Sequence, residues 1–350
     1  MKSTLFNFYF KLTLIVLCLP SLLAYPSKCK SCRNQYGPLQ LEELKSLSVP
    51  SRLKPKGALL APLLIPRVSG STNNTKVRNF IVDQLTQLNW HVELDTFEDS
   101  TPHGQIEFTN VIATKNPYAD TKIIFAAHFD SKYFAKPENT FIGATDSAVP
   151  CAILLDMAIT LNSYLEKSQI SNNSTTIQLV FFDGEEAFQE WTNDDSIYGA
   201  RHLAAKWVED PSLDYYKKIP TLKNKMESIE LFILLDLLGT AGTPIYSLNP
   251  PTHHYFEMLY DIENSIFKNQ LQPNSLRQHQ FLNQQMNSYV DDDHRPFLEK
   301  DVPVLHLIPV PFPKVWHRMS DNAKALSNPV IQHLALVFRV FAARLLCLEV

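Results

Sequence analysis

The chain has 350 residues, 45% hydrophobic and 19% charged, with a formal net charge of -4. That is ordinary globular composition with ample apolar content for a large core. The slight acidity and the lack of any long basic block exclude nucleic acid as a partner, because phosphate binding needs clustered Lys and Arg.

Lys2 and Lys11 precede an apolar run over 12–19, followed by Pro20 and Ser21-Leu22-Leu23-Ala24. The run is about half the length a spanning helix needs, so residues 1–24 read as a secretory signal peptide. Ala24 suits cleavage, although Leu22 is a poor match at the preceding small-residue position. No stable membrane span is expected, and the protein should be secreted or remain in the secretory pathway. The alternatives are an uncleaved, Golgi-type anchor or a mitochondrial presequence. The presequence is disfavoured because such peptides are Arg-rich and the first arginine is Arg33. Sequons at Asn73-Asn74-Thr75, Asn172-Asn173-Ser174 and Asn173-Ser174-Thr175 agree with export only alongside that signal.

Residues 25–38 form a loose tail holding Cys29-Lys30-Ser31-Cys32. With no second pair and no βαβ unit around it, this spacing reads as a local disulfide or an unstructured pair rather than a functional site. A short helix is expected over 39–47. Apolar residues at helical spacing (Val77, Phe80, Ile81, Leu85, Leu88) predict a helix over 74–88. The period then switches to two over 90–97, which reads as a strand, and 108–114 is another.

Four short, continuous apolar runs follow, over 122–127, 176–182, 229–235 and 302–308, each typical of a strand buried on both faces. Helices are expected between them over 148–161, 196–207 and 254–269, and a long apolar helix runs from Val330, with Pro329 in its first turn. Buried strands alternating with helices predict a single-domain α/β/α sandwich over 39–350, with a mixed, largely parallel central sheet. Nine glycines, with neither G-x-G-x-x-G nor a Walker loop, argue against a nucleotide-binding version of that architecture.

In such sheets ligands bind beyond the carboxyl ends of the strands. Here each buried strand runs into ionisable residues: His128-Phe129-Asp130, then Asp183-Gly184-Glu185-Glu186, then Asp236, and finally the segment from Pro309 to Trp316-His317. A loop before the helix at 148 adds Gly143-Ala144-Thr145-Asp146. Taken singly, each group has an ordinary explanation. His128 and Asp130 would be a satisfied core pair, Asp146 a helix N-cap, Glu185-Glu186 solvated surface and His317 a packing residue. Their arrival at one rim is what points to a site.

Zinc accepts His nitrogen and carboxylate oxygen, and a catalytic zinc keeps one position open. Asp146, Glu186 and His317 supply three such ligands. Two adjacent glutamates cannot face the same way in extended backbone, so one would bind metal while the other faces substrate. Spacing alone leaves open which does which.

These residues carry a resemblance. His128-x-Asp130, Gly143-Ala144-Thr145-Asp146, Phe182-Asp183-Gly184-Glu185-Glu186 and His317 are similar to the framework of the co-catalytic zinc aminopeptidases. Longer stretches, at 144–151, 181–188, 198–204 and 304–317, resemble the animal glutaminyl-peptide cyclotransferases, which share that fold, and the likeness spans 39–346. The resemblance implies a zinc aminopeptidase-like fold and one zinc per chain, held by Asp146, Glu186 and His317. It implies Glu185 as general acid/base, and Asp236 and Asp292 in a hydrogen-bonded acidic network beside it. Trp191, Phe312 and Trp316 would wall the substrate pocket. The substrates it implies are peptides with N-terminal glutamine, and more slowly glutamate. A monomer is expected, although the sequence itself does not fix the oligomeric state. The family usually pairs a cysteine just before His128 with the one at 151. Ala127 stands there in this chain, so Cys151 is expected as a free thiol.

Two rivals remain. A two-metal aminopeptidase would use His128 and Asp236 for a second zinc. Against it stand Trp191 and Val315-Trp316-His317. A non-catalytic scaffold on the same fold would have lost metal ligands, and none is lost.

Overall fold

Hydrophobic alternation orders the molecule from its edge inward. The computed structural model describes residues 39–135, 140–171, 175–209 and 224–350. The expected signal peptide, the tail with Cys29 and Cys32, and the sequons beginning at Asn172 and Asn173 lie outside the described residues. The chain enters through a short helix, α1 (Leu41–Leu47), and a second, α2 (Thr72–Thr86), whose Ser71 side chain caps Asn74 N–H. Strands β1 (His91–Thr101) and β2 (Gly104–Thr114) then pair antiparallel over their whole length.

The four apolar runs become β3 (Thr121–His128), β4 (Thr175–Phe182), β5 (Ile229–Leu235) and β8 (Val304–Leu307). They join β1 and β2 in one six-stranded sheet of order β1-β2-β4-β3-β5-β8. The pairs β3/β4, β3/β5 and β5/β8 are parallel and β2/β4 is antiparallel, so the sheet is mixed and largely parallel, as expected.

Successive side chains on the inner strands serve opposite faces. Ile123, Phe125, Ala127, Ile177, Leu179, Phe181, Ile233 and Leu307 belong to one buried cluster. It is covered by α2, α3 (Val149–Ser171), α5 (His253–Lys268) and α7 (Asn328–Leu345). Ile124, Ala126, Val180, Phe182, Phe232, Leu234 and Val304 belong to another, covered by α4 (Tyr198–Glu209) and by Phe297 of the one-turn helix α6 (Arg295–Leu298). Burial on both faces is why these strands lack a polar stripe.

The stretch Ala144–Ser168 is apolar and long enough to cross a membrane, but 72% of its most apolar window is buried inside the fold, where α3 packs against the sheet. Where α3 meets α7, Arg339 donates to the buried Asp156 through Nε at 2.7 Å, and Arg52 reaches the same carboxylate at 3.0 Å.

Three features departed from the sequence reading. Helix α3 runs ten residues past the expected end, to Ser171. Strands β6 (Ile245–Ser247) and β7 (Phe281–Gln285) form a small separate parallel pair that was not expected, since neither is long or apolar enough to show a period. The sequon at Asn73 lies in the first turn of α2, with its neighbour Asn74 buried against Asp183. Cys151 is buried and free, as the Ala127 position implied. Cys347 is disulfide-bonded.

Candidate active site

The carboxyl ends of β3, β4, β5 and β8 open on one side of the sheet, and each delivers a polar group there. β3 ends in His128, which is 1% exposed. Its Nε2 lies 3.1 Å from Asp146 Oδ1, 3.4 Å from Asp236 Oδ1 and 3.8 Å from Glu185 Oε2. Asp130, two residues on and on the same face, sits 3.4 Å from His128 Nδ1.

Asp130 also organises the turn after β4. Gly184 there has φ +74°, and a Cβ on it would lie 2.5 Å from the Phe108 ring, so only glycine fits without displacement. The turn aims two successive backbone N–H groups, those of Glu185 and Glu186, at the two Asp130 oxygens, each at 3.2 Å. The same turn is stitched to the start of α4, where Ile197 N–H donates to Glu185 O at 2.8 Å and Tyr198 N–H to Gly184 O at 2.7 Å.

The loop carrying Asp146 is held from below. Arg67 is fully buried and donates to the carbonyls of Phe129, Ile142, Gly143 and Asp146. Thr145 adds a backbone bond and a hydroxyl bond to buried Asp321, at 2.9 and 3.0 Å. Neither Arg67 nor Asp321 was singled out from sequence. An isolated arginine far upstream carries no local signal of the carbonyls it will meet.

His317 arrives from the segment after β8 with φ +52°, a left-handed backbone uncommon outside glycine. Its Nε2 lies 3.5 Å from Asp146 Oδ2 and 3.4 Å from Glu186 Oε2. The donor atoms of Asp146, Glu186 and His317 all fall within 4.8 Å of one another, and so do those of His128, Asp146 and Asp236. Asp146 is common to both groups. Lys132, also not anticipated, reaches Glu186 Oε2 at 3.4 Å.

The protonation pattern follows from crowding in a dry site. Burial, then repulsion from Glu186, pushes Asp146 up to about 7. Burial works the same way on Glu186, but the His317 bond outweighs it and brings Glu186 to about 2. Burial drives Glu185 well above the usual carboxylate range, with Glu186, Asp292 and Asp293 adding repulsion and His128 opposing it. Burial and the charge of Asp236 raise Asp292 to about 7.

Glu185, Asp236 and Asp292 line one cavity of about 240 Å³ with Asp146, Glu186 and His317. Each of the first three keeps its own partner. Ser147 Oγ donates to Asp236, Asp292 Oδ2 pairs with His306 Nε2 at 2.8 Å, and Glu185 faces His128. Among the described residues no direct hydrogen bond joins the three carboxylates, so the expected network is a shared enclosure rather than a continuous chain.

Asp292, His294 and His306 also bring donor atoms within 4.8 Å. The two imidazole rings lie 4.3 Å apart at 36°, however, so their in-plane lone pairs run side by side rather than converge on one ion. The aromatic residues meet the cavity as expected. Phe312 and Trp316 pack edge to face at 4.9 Å, and Trp316 stacks on His317 at 4.0 Å. Trp191 lines the same cavity, its indole N–H donating to Asp291 Oδ2 at 2.9 Å. The nine residues to which the resemblance gave roles therefore line the same cavity, whereas His128, Asp130 and Asp183 lie behind it.

Comparison with known proteins spans this whole arrangement. Residues 110–342 match Peptidase family M28. The Glutaminyl-peptide cyclotransferase of Drosophila melanogaster is 41% identical over 323 residues, covering 88% of this chain and 85% of that protein. The Glutaminyl-peptide cyclotransferase of Boiga irregularis is 42% identical over 293 residues, covering 81% and 78%. The crystal structure of Macrostomum lignano glutaminyl cyclase superposes with a TM-score of 0.81 at 35% identity, covering 89% of this chain and 95% of that one. A leucine aminopeptidase precursor from Bacteroides thetaiotaomicron superposes at 0.63 with 16% identity, a likeness of fold alone. The family match over 110–342 includes the loops that build the acidic rim, the two cyclotransferases cover more than four-fifths of the chain, and the chain accordingly belongs to the glutaminyl-peptide cyclotransferase family.

Proposed function

We propose that this chain is a glutaminyl-peptide cyclotransferase. It closes N-terminal glutamine of peptides into pyroglutamate with release of ammonia, and N-terminal glutamate more slowly with release of water. The observation that carries this reading is one small cavity in which three converging metal donors, a buried adjacent glutamate and an aromatic wall all meet.

The donors fit a cation. Asp146 Oδ2 and Glu186 Oε1 are buried without a hydrogen-bond partner, and the two carboxylates face each other across His317. Unpaired buried acceptors of like charge call for a positive ion. Asp146, Glu186 and His317 are the one-nitrogen, two-oxygen set that suits a single zinc with an open position. When bound there, zinc supplies Lewis acidity for the γ-carbonyl of the substrate.

The remaining chemistry belongs to the chain. The substrate's own α-amine is the nucleophile, so holding it folded against the γ-amide removes much of the entropic barrier. Glu185 takes a proton from the attacking amine and delivers it to the departing ammonia. Its environment suits both roles, since burial and neighbouring carboxylates make it a stronger base than a solvated glutamate. Asp236 and Asp292 supply the negative surroundings that keep a proton within the cavity. Trp191, Phe312 and Trp316 wall the glutamine side chain and exclude water, favouring cyclisation over hydrolysis. One chain's residues complete the cavity, which fits a monomer. The N-terminal segment fits entry into the secretory pathway.

A two-metal aminopeptidase is the second reading, and the His128–Asp146–Asp236 group favours it. Asp236 Oδ1 already accepts the Ser147 hydroxyl and lies 3.4 Å from His128 Nε2, so Asp236 has partners without a second metal. The test is a Gln-initiated peptide beside a Leu-initiated one. Ammonia release from the first, with no free leucine from the second, is expected. Free leucine would transfer the assignment to the aminopeptidase.

A further inference from the structure

Trp191 is the one pocket aromatic contributed by the loop after β4, and at 38% exposure it has little packing of its own to hold it. The base of that loop is rigid. Asp195 accepts the N–H groups of Phe188, Gln189 and Glu190, at 2.9, 2.9 and 3.1 Å, and the hydroxyl of Tyr198 at 2.8 Å. In the far part, 191–193, Thr192 is tied back to that base, its hydroxyl accepting Asp195 N–H at 3.0 Å and its carbonyl accepting the Ser196 hydroxyl at 2.6 Å. The side chains on either side of it, Trp191 and Asn193, instead reach across to the segment that opens α6.

One guanidinium nitrogen makes that connection. Arg295 NH1 donates to Asp291 Oδ2 at 2.7 Å and to Asn193 Oδ1 at 3.0 Å. The same Asp291 oxygen accepts the Trp191 indole N–H at 2.9 Å. Arg295 thus touches the loop twice, directly at Asn193 and through Asp291 at Trp191. It is itself anchored by the first turn of α6, where its backbone N–H donates to Asp292 O at 2.9 Å. Arg295 also offsets a charge. Asp291 lines the cavity beside Asp292, in a wall that already holds Asp146, Glu185, Glu186 and Asp236. Without a cation, Asp291 would be repelled from this wall and would carry Trp191 with it.

We propose that Arg295 is a positioning residue for substrate affinity: through Asp291 and Asn193 it clamps the 191–193 loop to the start of α6 and holds the Trp191 wall of the pocket in place. It does not line the cavity itself. The proposal rests on the reading of Trp191 as a pocket wall.

The experiment is steady-state cyclisation of a Gln-initiated peptide by the metal-loaded full chain, for wild type, Arg295→Ala, Arg295→Lys, Trp191→Phe and the double variant Arg295→Ala/Trp191→Phe. Arg295→Ala should raise KM about tenfold, the scale of one charge-assisted hydrogen bond, and leave kcat within about twofold. Arg295→Lys, which restores the charge and a donor, should recover most of that loss. In the Trp191→Phe background, which lacks the indole N–H, the Arg295→Ala change should lose most of its effect on KM. A KM for Arg295→Ala within about twofold of wild type overturns the proposal. So does an equal effect in both backgrounds, or a fall in kcat with KM unchanged, which would mark a merely structural role. If Trp191→Phe and Arg295→Ala both leave KM untouched, the pocket-wall reading of Trp191 fails with it. If wild type releases no ammonia, the cyclotransferase reading itself fails, and that outcome is recorded before any variant is compared.

Discussion

Substituting each of the two adjacent glutamates tests the site most directly, because the structure gives them opposite surroundings. Glu185→Gln keeps side-chain shape and the backbone bond from residue 185 to Asp130. It removes a carboxylate that burial and three acidic neighbours already push toward protonation. Folding stability should therefore stay level or rise by about 1 kcal/mol, since a buried repulsion is relieved. The rate should fall by about 10²–10⁴, or roughly 3–5 kcal/mol of barrier, the usual cost of losing a general acid/base. Glu186→Gln acts differently. Its carboxylate faces His317 at 3.4 Å and Lys132 at 3.4 Å, and a neutral amide there both weakens metal binding and leaves Lys132 short of a partner. Zinc content by elemental analysis, measured beside kcat from ammonia release, separates the two. Glu185→Gln should retain about one zinc and still bind a weak imidazole inhibitor, whereas Glu186→Gln should lose zinc and activity together. The opposite pattern would reverse the two roles. Near-full activity in Glu185→Gln would refute the proton shuttle and shift it to Asp236 or Asp292.

Four further outcomes are expected. Wild-type protein should hold one tightly bound zinc, and elemental analysis finding two would revive the aminopeptidase reading. Arg67→Met should cost more than about 3 kcal/mol in urea unfolding, because several buried carbonyls lose their only shared donor at about 1–3 kcal/mol each; a loss under 1 kcal/mol would show that the loop is held otherwise. Asp95, buried against His202, Lys206 and Asn110, has its carboxyl brought down to about 2 by those bonds against the opposing effect of burial. A depressed folded-state value stabilises above the unfolded value near 4 and is lost as pH falls toward 2, so Asp95→Asn should cost about 2 kcal/mol at neutral pH and little at pH 2; a cost independent of pH would contradict the assignment. Cys151, buried and pushed up to about 12, should be inert to thiol reagents in native protein and react once on unfolding without reductant; peptide mapping that finds it in a disulfide would contradict this.

Much of this molecule was legible in the chain itself. The four apolar runs have the character of strands buried on both faces, and their alternation with helices pointed to a largely parallel arrangement. Because ionisable groups are costly inside such strands, those at 128–130, 183–186, 236 and 317 collect at or beyond the strand ends, and the rim was visible before any coordinate. The free Cys151 followed from the family resemblance, in which Ala127 stands where the partner cysteine is usual. Local pattern also placed α2, α4, α5 and α7 within a few residues, because their apolar spacing repeats over several turns.

Contacts between distant segments were not legible. Nothing near Arg67 in sequence points to the carbonyls at 142–146, and nothing near Lys132 points to Glu186, because both bonds form only when the sheet brings separate loops together. The Arg295–Asp291–Trp191 clamp joins residues about a hundred positions apart through side chains that would read as solvated surface on their own. Strands β6 and β7 are too short to show a period and exist only because each pairs with the other. Which of two adjacent glutamates faces His317, and which faces His128, was likewise decided by the turn at Gly184. Its left-handed backbone and the two N–H bonds to Asp130 set the direction of each side chain, and that direction is a property of the packed site rather than of the dipeptide.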